Sequence, residues 1–581
     1  MSEQIKITEA VIRQTIEHIN PYKLQSNINR LAVISDGRPF LDEALGGQIG
    51  CYEVSALTLS DQEIRARKEV ETIFHESGIP KEDIYEHPMA VFGMMRSKNP
   101  GAPTLVIGSH TDTVQKGGAF DGRAGISMML ETLRVLKEQG IELNINLLFT
   151  AFAGEESAAF GTAFLGSRAL VGEITDDILD QGPPLGKTFQ QVLEDRGINP
   201  NDLKTPFLTE NFFGPIIGFV EGHIEQADGM RNEGFNLQIN EAIAGANRQK
   251  VVLETNLKQK KEFKNPRYLK VTAQGQANHS GSTMMDSPDR KDGLVMTSYL
   301  LEKLEPLQKR LTEQGLNVEL SASSVKIDGQ AMSKIPGKTE ITLVVDGDDP
   351  NQVEDALDIL DKLVKEQNER LKEVKFQDGA LLVAESLQDP ISVPIYESTG
   401  ILSAYSDVSK IIRKVEQTFF GLAKENAVGT VTTFDIKDGK TILQIDMRGI
   451  SEVRDLGVEE VIEEIGRIGE QSKIVITVDQ VPGSSNPVVL DHEFADQFIT
   501  VAEKYGLGPA KRSYSPAGHD AGVIAASKNV TNSGKPIPTA LFFIPSEGGS
   551  HNPAEYTSPE DMKIGCQALT AFIMETASKF S

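Results

Sequence analysis

The chain of 581 residues predicts an α/β fold in which one domain, built on a mostly parallel sheet, is interrupted by an inserted α+β region that is itself duplicated. Three observations lead there. Apolar, strand-like runs alternate with amphipathic helical patterns over residues 1–236, and the same alternation resumes from residue 484 to the C-terminus. Histidines suited to one common site lie in both stretches, so the two must fold together. The intervening segment repeats a single succession of elements. A chain this long exceeds one ordinary core, and two or three domains are expected.

In order, the first part predicts an amphipathic helix near 8–31, a helix over 60–77, a strand over 104–108, a helix over 122–139, a strand over 144–152 and a helix near 187–196. The last part predicts a helix over 491–505, a strand over 539–544 and a final helix over 559–579. Between them, 315–365 reads strand, turn, strand, helix, and 428–470 reads the same way. In that register Asp346 and Asp446 coincide, and helical stretches at 291–312 and 402–421 precede the two units. Repeated units of this kind suit two ferredoxin-like subdomains. The expected division is 1–236 and 484–581 for the main domain, 237–395 for the first copy and 396–483 for the second.

The chemistry sits where strands end. The apolar run Thr104-Leu-Val-Ile107 leads into Gly108-Ser-His110-Thr-Asp112, which puts His110 at the carboxyl end of a buried strand, where open α/β sheets bind ligands. Asp112, two residues on, points the same way and can accept the other ring N–H of His110. Asp121 lies in a glycine-rich turn that opens a helix, a place from which one carboxylate can reach two cations. Glu155 and Glu156 end the run 145–152, and as neighbours they point apart, so one can bind metal while the other faces an attacking water. His223 and His551 each follow a further apolar run. Five residues of ligand type, His110, Asp121, His223, His551 and one of Glu155 and Glu156, thereby converge with mixed nitrogen and oxygen donors, a set that suits two divalent ions.

Composition narrows the classes. Hydrophobic content of 39% and charged content of 24% are those of a globular protein. A net charge of −26 argues against nucleic acid and anionic membranes as partners. The N-terminus lacks the pattern of a leader peptide, and a cytoplasmic location is expected. Cys51 and Cys566 read as two unpaired thiols. No nucleophile elbow, phosphate loop or dinucleotide fingerprint occurs.

The ordered segments GSHTDT, GGAFDGRAG, AGEES, GHIEQ, GQANHSGST, SYSPAGHDAG and FFIPSEGGSHNPAEYTS resemble the M20 metallohydrolases, in particular the branch of N-carbamoyl-amino-acid hydrolases, β-ureidopropionases and allantoate amidohydrolases. GHIEQ discriminates, because the peptidase and aminoacylase branches usually place a carboxylate where this chain has His223. The resemblance implies a zinc-peptidase-like catalytic domain with an inserted satellite or lid. His110, Asp121 and His223 would hold one metal and Asp121, Glu156 and His551 the other, each zinc or manganese, with cobalt or nickel as alternatives. It implies Glu155 as general base, Asp112 as the residue orienting His110, and His279 as a group polarising the scissile carbonyl. Gln226, Arg448 and His519 would contact substrate; Arg448 lies in Ile445-Asp-Met-Arg448, which matches a family DxR pattern. The chain departs from the family at Ser333, usually Asn, and at Asp348, usually Arg.

The expected function is hydrolysis of the linear ureido C–N bond of an N-carbamoyl amino acid or related ureido acid, releasing ammonia and carbon dioxide. A dipeptidase or aminoacylase and a non-catalytic binding homologue are the alternatives. In homodimeric members of the family the satellite domain carries the dimer contact. A second copy within one chain favours a monomer, with the homodimer as alternative.

Overall fold

The computed structural model describes residues 6–40, 51–183, 186–227, 229–329, 332–374, 381–387, 393–450, 452–481 and 484–580. The reading of the N-terminus rests partly on residues outside these. The chain divides into two compact units, Met1–Gly245 with Asn486–Ser581, and Ala246–Ser485. No helix among the described residues is long and apolar enough to cross a membrane.

The first unit is organised by four adjacent parallel strands. In chain order these are β1 (Thr104–His110), β2 (Asn146–Phe152), β3 (Ile216–Ile224) and, late in the chain, the strand Thr539–Ile544; in space they lie in the order Thr539–Ile544, β3, β1, β2. Antiparallel strands flank them, Leu237–Ile243 beside Thr539–Ile544 and Ala90–Met95 beside β2, within a sheet of nine strands. The central strands are continuous apolar runs because both faces are covered. Leu105, Ile107, Leu147 and Phe149 enter one hydrophobic cluster, while Val106, Leu148 and Phe152 enter another, as the period-two alternation of side chains requires.

Helix α1 (Arg123–Glu138) follows the Asp121 turn and is buried along most of its length. The C-terminal helix Pro559–Ser578 packs on it and starts at Ser558, whose hydroxyl caps it, with Pro559 in the first turn, where a missing N–H costs nothing. The single helix expected over 8–31 is instead two, Glu9–Glu17 and Pro21–Ile34. Pro21 cannot donate to the preceding turn, and Asn20 caps the second helix by accepting the Tyr22 N–H at 2.9 Å.

The second unit contains two βαββαβ folds, one nested in the other. The outer fold begins with β4 (Gly245–Leu253) and breaks off. The inserted fold then runs β5 (Arg267–Gln274), α2 (Gly293–Glu313), β6 (Val318–Ser323), β7 (Lys338–Gly347), α3 (Pro350–Val374) and β8 (Leu381–Leu387). The outer fold resumes with α4 (Ser398–Gly421), β9 (Val428–Lys437), β10 (Lys440–Gly449), α5 (Glu452–Ser472) and β11 (Ile476–Gln480). The sheets have the orders β8-β5-β7-β6, extended beyond β6 by the short strand Ile395–Tyr396 and with Lys326–Ile327 also paired to β7, and β11-β4-β10-β9, so in each fold the first and third strands are central. Helices α2 and α4, one from each fold, pack together, and the cores form one cluster.

This topology moves the expected internal boundaries. Residues 237–243 belong to the large sheet of the first unit, and β4, placed by sequence in the first copy, pairs with β10 and β11 of the outer fold. The outer fold is therefore discontinuous, a consequence of the insertion after its first strand.

One buried histidine makes the fold of the first unit pH-dependent. His87 is 9% exposed, its Nδ1 accepts the Met89 N–H at 3.2 Å, and its ring lies against Phe207. Burial, reinforced by the Arg67 charge, pushes its pKa down to about 4. The neutral ring therefore favours the folded state above the unfolded value near 6.5, and this contribution is lost as pH falls through about 4, an effect on the order of 3 kcal/mol. Urea unfolding at pH 7 and pH 4 should show that His87→Asn removes most of that difference.

Candidate metal centre

The site forms at the carboxyl ends of β1 and β3 and in the loops after β2 and after the strand Thr539–Ile544. His110 is the last residue of β1 and His223 the penultimate residue of β3. Because the strands are neighbours and parallel, their imidazoles meet, with Nε2 atoms 3.3 Å apart. The Asp121 turn reaches them because Gly122 has φ 68° and no side chain, and a Cβ there would lie 2.5 Å from the His110 ring. Asp121 Oδ1 then lies 3.4 Å from His110 Nε2 and 3.1 Å from His223 Nε2. On the other side, His551 Nε2 lies 3.5 Å from Asp121 Oδ2 and 3.1 Å from Glu156 Oε1.

Two buried triads result, His110 with Asp121 and His223, and Asp121 with Glu156 and His551, and Asp121 belongs to both. The donor chemistry fits a pair of divalent cations. Each triad offers imidazole nitrogen and carboxylate oxygen, and Asp121 Oδ1 is buried with no aligned hydrogen-bond donor although two imidazole nitrogens face it.

The ring orientations are set by local carbonyls. His110 Nδ1 is 3.1 Å from the Asp112 carbonyl oxygen and His223 Nδ1 is 2.9 Å from the Ile224 carbonyl oxygen, which directs Nε2 inward in both. The Asp112 carboxylate, expected to orient His110, lies farther from Nδ1, at 3.5 Å. It is occupied mainly by the loop after β2: its oxygens accept the N–H groups of Gly154 at 2.9 Å, Glu155 at 3.2 Å and Glu156 at 3.2 Å, and the Thr58 hydroxyl at 3.1 Å. Asp112 thus holds in place the backbone that carries both glutamates.

The charges shape each group. Burial favours the neutral acid at Asp121, yet His223, His110 and His551 hold its carboxyl well below the usual range. Burial disfavours the protonated ring at His110, and Glu155, Asp112 and Asp121 overcome it and raise its pKa. Glu155 goes the other way. Burial pushes its carboxyl well above the ordinary value, with His110, 3.9 Å away, opposing in part. Such a carboxylate beside the two triads is a stronger base than an exposed one.

Gln226, expected as a substrate contact, has φ 66° and donates its amide to Asp121 Oδ2 at 2.7 Å, so its place is in the support of the shared carboxylate. His519 lies edge-on to the His223 ring, with centroids 4.6 Å apart, and its Nε2 is 2.9 Å from the Ser515 hydroxyl. Sequence reasoning missed Glu221, Ser550 and Glu555. Glu221, two residues before His223 on β3, accepts the Ala521 N–H at 2.7 Å and ties that strand to the helix after His519. Ser550 and Glu555 stand in the quoted SHNPAE segment, which was the available signal. Thr58 had none.

The second unit has a cluster of its own, formed between the two nested folds. From the inserted fold, His279 Nδ1 accepts the N–H groups of Gly281 at 3.2 Å and Ser282 at 2.9 Å, which leaves any ring proton on Nε2. From the outer fold, Arg448 Nη1 lies 3.4 Å from that Nε2, and Arg448 Nε donates to Asp446 at 2.9 Å. Asp446 also accepts from Ser280 at 2.6 Å and from Arg248 at 3.3 Å. Burial favours its neutral form, but Arg448 and Arg248 hold the carboxyl below the usual range. All these side chains are buried. Asp348, where the related family usually has Arg, pairs instead with Lys264 on the surface.

A family model, "Peptidase family M20/M25/M40", matches residues 106–575. An N-carbamoyl-L-amino acid amidohydrolase of Geobacillus stearothermophilus is 25% identical over 332 residues, 56% of this chain and 73% of that protein. An allantoate amidohydrolase of Bacillus subtilis is 23% identical over 489 residues, 84% of each chain. Among solved structures, that of AtUAH in complex with glyoxylate aligns with a TM-score of 0.56 at 19% identity, covering 97% of this chain and 99% of the other. An amidase of the hydantoinase/carbamoylase family from Burkholderia vietnamiensis aligns at 0.53 and 18% identity, covering 96% and 98%. These alignments show a shared fold.

The role of Asp112 is open to a direct check. Asp112→Ala leaves three loop N–H groups without their acceptor, at about 1–3 kcal/mol for each that stays buried. Denaturant unfolding should show a loss of at least about 3 kcal/mol, far more than removal of a contact to His110 alone would produce.

Proposed function

This chain belongs to the peptidase family M20/M25/M40, and from that membership and the geometry of its site we propose that it is a two-metal amidohydrolase of linear ureido compounds. The chain is a hydrolase acting on non-peptide C–N bonds. The finer reading is that its substrate is an N-carbamoyl amino acid or a related ureido acid. The observation that carries it is the sharing of Asp121 between two buried triads, one of them completed by His223, with Glu155 alongside.

In this reading His110, Asp121 and His223 hold one divalent cation, and Asp121, Glu156 and His551 hold the other. When bound, such a pair supplies Lewis-acid polarisation and lowers the pKa of water toward neutrality. Glu155 takes a proton from the attacking water and delivers it to the leaving nitrogen. Water adds to the ureido carbonyl carbon and the C–N bond breaks; the carbamate fragment falls to ammonia and carbon dioxide, and the amino acid is released. Gln226 and Ser550 hold Asp121, Asp112 holds the Glu155 loop, and His519 is assigned a substrate contact. His279 donates from Nε2 to the developing oxyanion. Arg448 meets the substrate carboxylate with its planar guanidinium, a contact that Lys would not reproduce.

The second unit supports a further part of the reading, that the two folds descend from a duplication and that the chain is monomeric. The α2–α4 contact joins two copies of one fold within one chain, and this takes the place of pairing between chains. Sedimentation should give a species near the chain mass of 63.4 kDa; a species of twice that mass would sink the monomer.

Substrate preference and three substitutions test the chemistry. Turnover should be higher on N-carbamoyl-β-alanine, N-carbamoyl-α-amino acids or allantoate than on dipeptides and N-acyl amino acids, and the reverse order would overturn the substrate class. Asp121→Asn should hold well under two metal ions per chain. Glu155→Gln should keep its metal and lose turnover by several orders of magnitude. Arg448→Ala should cost about 2–5 kcal/mol in kcat/KM for carboxylate-bearing substrates, with metal content unchanged.

A further inference from the structure

Asp121 is held from behind by a carboxylate that lies outside both triads. Glu555 is fully buried. Its Oε1 accepts the N–H groups of Phe120 at 2.8 Å and Asp121 at 2.9 Å, so one oxygen fixes the backbone of the turn. Its Oε2 lies 2.7 Å from the Ser550 hydroxyl, which lies 2.5 Å from Asp121 Oδ2. A single side chain therefore controls Asp121 twice, through its main chain and, by way of Ser550, through its carboxylate.

The surroundings are shaped for this residue. A Cβ on Gly118 would fall 2.4 Å from Glu555 Oε1 and 2.6 Å from its Cβ, so only glycine at 118 leaves room for it. The loop carrying Glu555 is itself tight. A Cβ on Gly548 would fall 2.2 Å from the Ala554 carbonyl oxygen, and His551 sits at φ 63°. Glu547 and Tyr556 close the loop by exchanging backbone hydrogen bonds at 2.9 Å. The loop that brings His551 to one triad thus also brings Glu555 to the turn that serves both. Ser550 and Gln226 together direct two donors at Oδ2, whereas Oδ1 is left facing the two imidazoles.

We propose that Glu555, acting through the Phe120–Asp121 backbone and Ser550, is the positioning residue that sets the orientation of the shared carboxylate. The significance of that orientation for metal rests on the two-metal reading above; the positioning itself does not. Replacement by Ala leaves two N–H groups without an acceptor and the Ser550 hydroxyl without its second partner. Replacement by Gln keeps an oxygen for both N–H groups and offers Ser550 an amide donor, so it should rescue the loss.

The test uses the full chain, stripped of metal by chelation, with two measurements. Hydrogen–deuterium exchange over residues 118–123 should quicken in Glu555→Ala and stay near the parent rate in Glu555→Gln. Titration with Zn²⁺ should show affinity weakened by about 10–100-fold in Glu555→Ala and largely restored in Glu555→Gln, the size usual for groups that orient ligands. A folded Glu555→Ala with parental exchange and parental Zn²⁺ affinity would overturn the proposal. If that variant does not fold, Ser550→Ala carries the test: weakened Zn²⁺ affinity supports the proposal and unchanged affinity overturns it. A parent chain that binds fewer than two Zn²⁺ ions sinks the two-metal reading, and the exchange rates still decide whether Glu555 positions Asp121.

Discussion

The constraint on which the site depends is charge balance in a closed space. Asp112, Asp121, Glu155 and Glu156 are all buried, together with three imidazoles, and carboxylates taken out of water are costly unless each meets donors or cations. The chain meets this by giving each carboxylate a separate duty. Asp112 is consumed by backbone N–H groups, Asp121 is divided between hydroxyl and amide donors on one oxygen and imidazoles on the other, and Glu156 faces His551. Burial lifts the Glu155 pKa well above the ordinary value, which suits the proton-accepting role proposed for it.

That division explains why the framework is a parallel sheet. Adjacent parallel strands end at the same edge, so residues more than a hundred positions apart in sequence, such as His110 and His223, meet without any long side chain having to reach. The side chains of the two triads sit at strand ends or in turns and loops that contain glycine, which fixes their position more firmly than exposed loops would.

Much of this was legible from sequence because its signals are local. The apolar runs before His110 and Glu155, the glycines around Asp121 and the capped helix at Pro559 each declare themselves within a few residues, and the two Asp-bearing strands of the second unit repeat a visible pattern. What escaped was non-local or conformational. Nothing near β4 indicates that its partners are β10 and β11, which begin only at residues 440 and 476. The turn of Gln226 toward Asp121 depends on a positive φ that its residue type does not suggest. Asp112 could be placed beside His110, but its engagement with three loop N–H groups follows from the path of the chain after β2. The helix break at Pro21 was readable and was obscured by the apolar periodicity on both sides of it.

The nesting of the two folds also bears on the order in which the chain can acquire its structure. The inserted fold has β5 to β8 once residue 387 has been made, and the short strand Ile395–Tyr396 joins its sheet soon after, whereas β4 waits for partners that end at residue 480. Pairing across so long a separation carries a loop-closure cost that grows with the length of free chain between the ends, and it slows folding. A compact insert whose first and last strands, β5 and β8, are direct neighbours shortens that free length, since the flanking segments then leave from adjacent strands. The interruption that splits the outer fold in sequence thereby brings its separated parts close together before they pair.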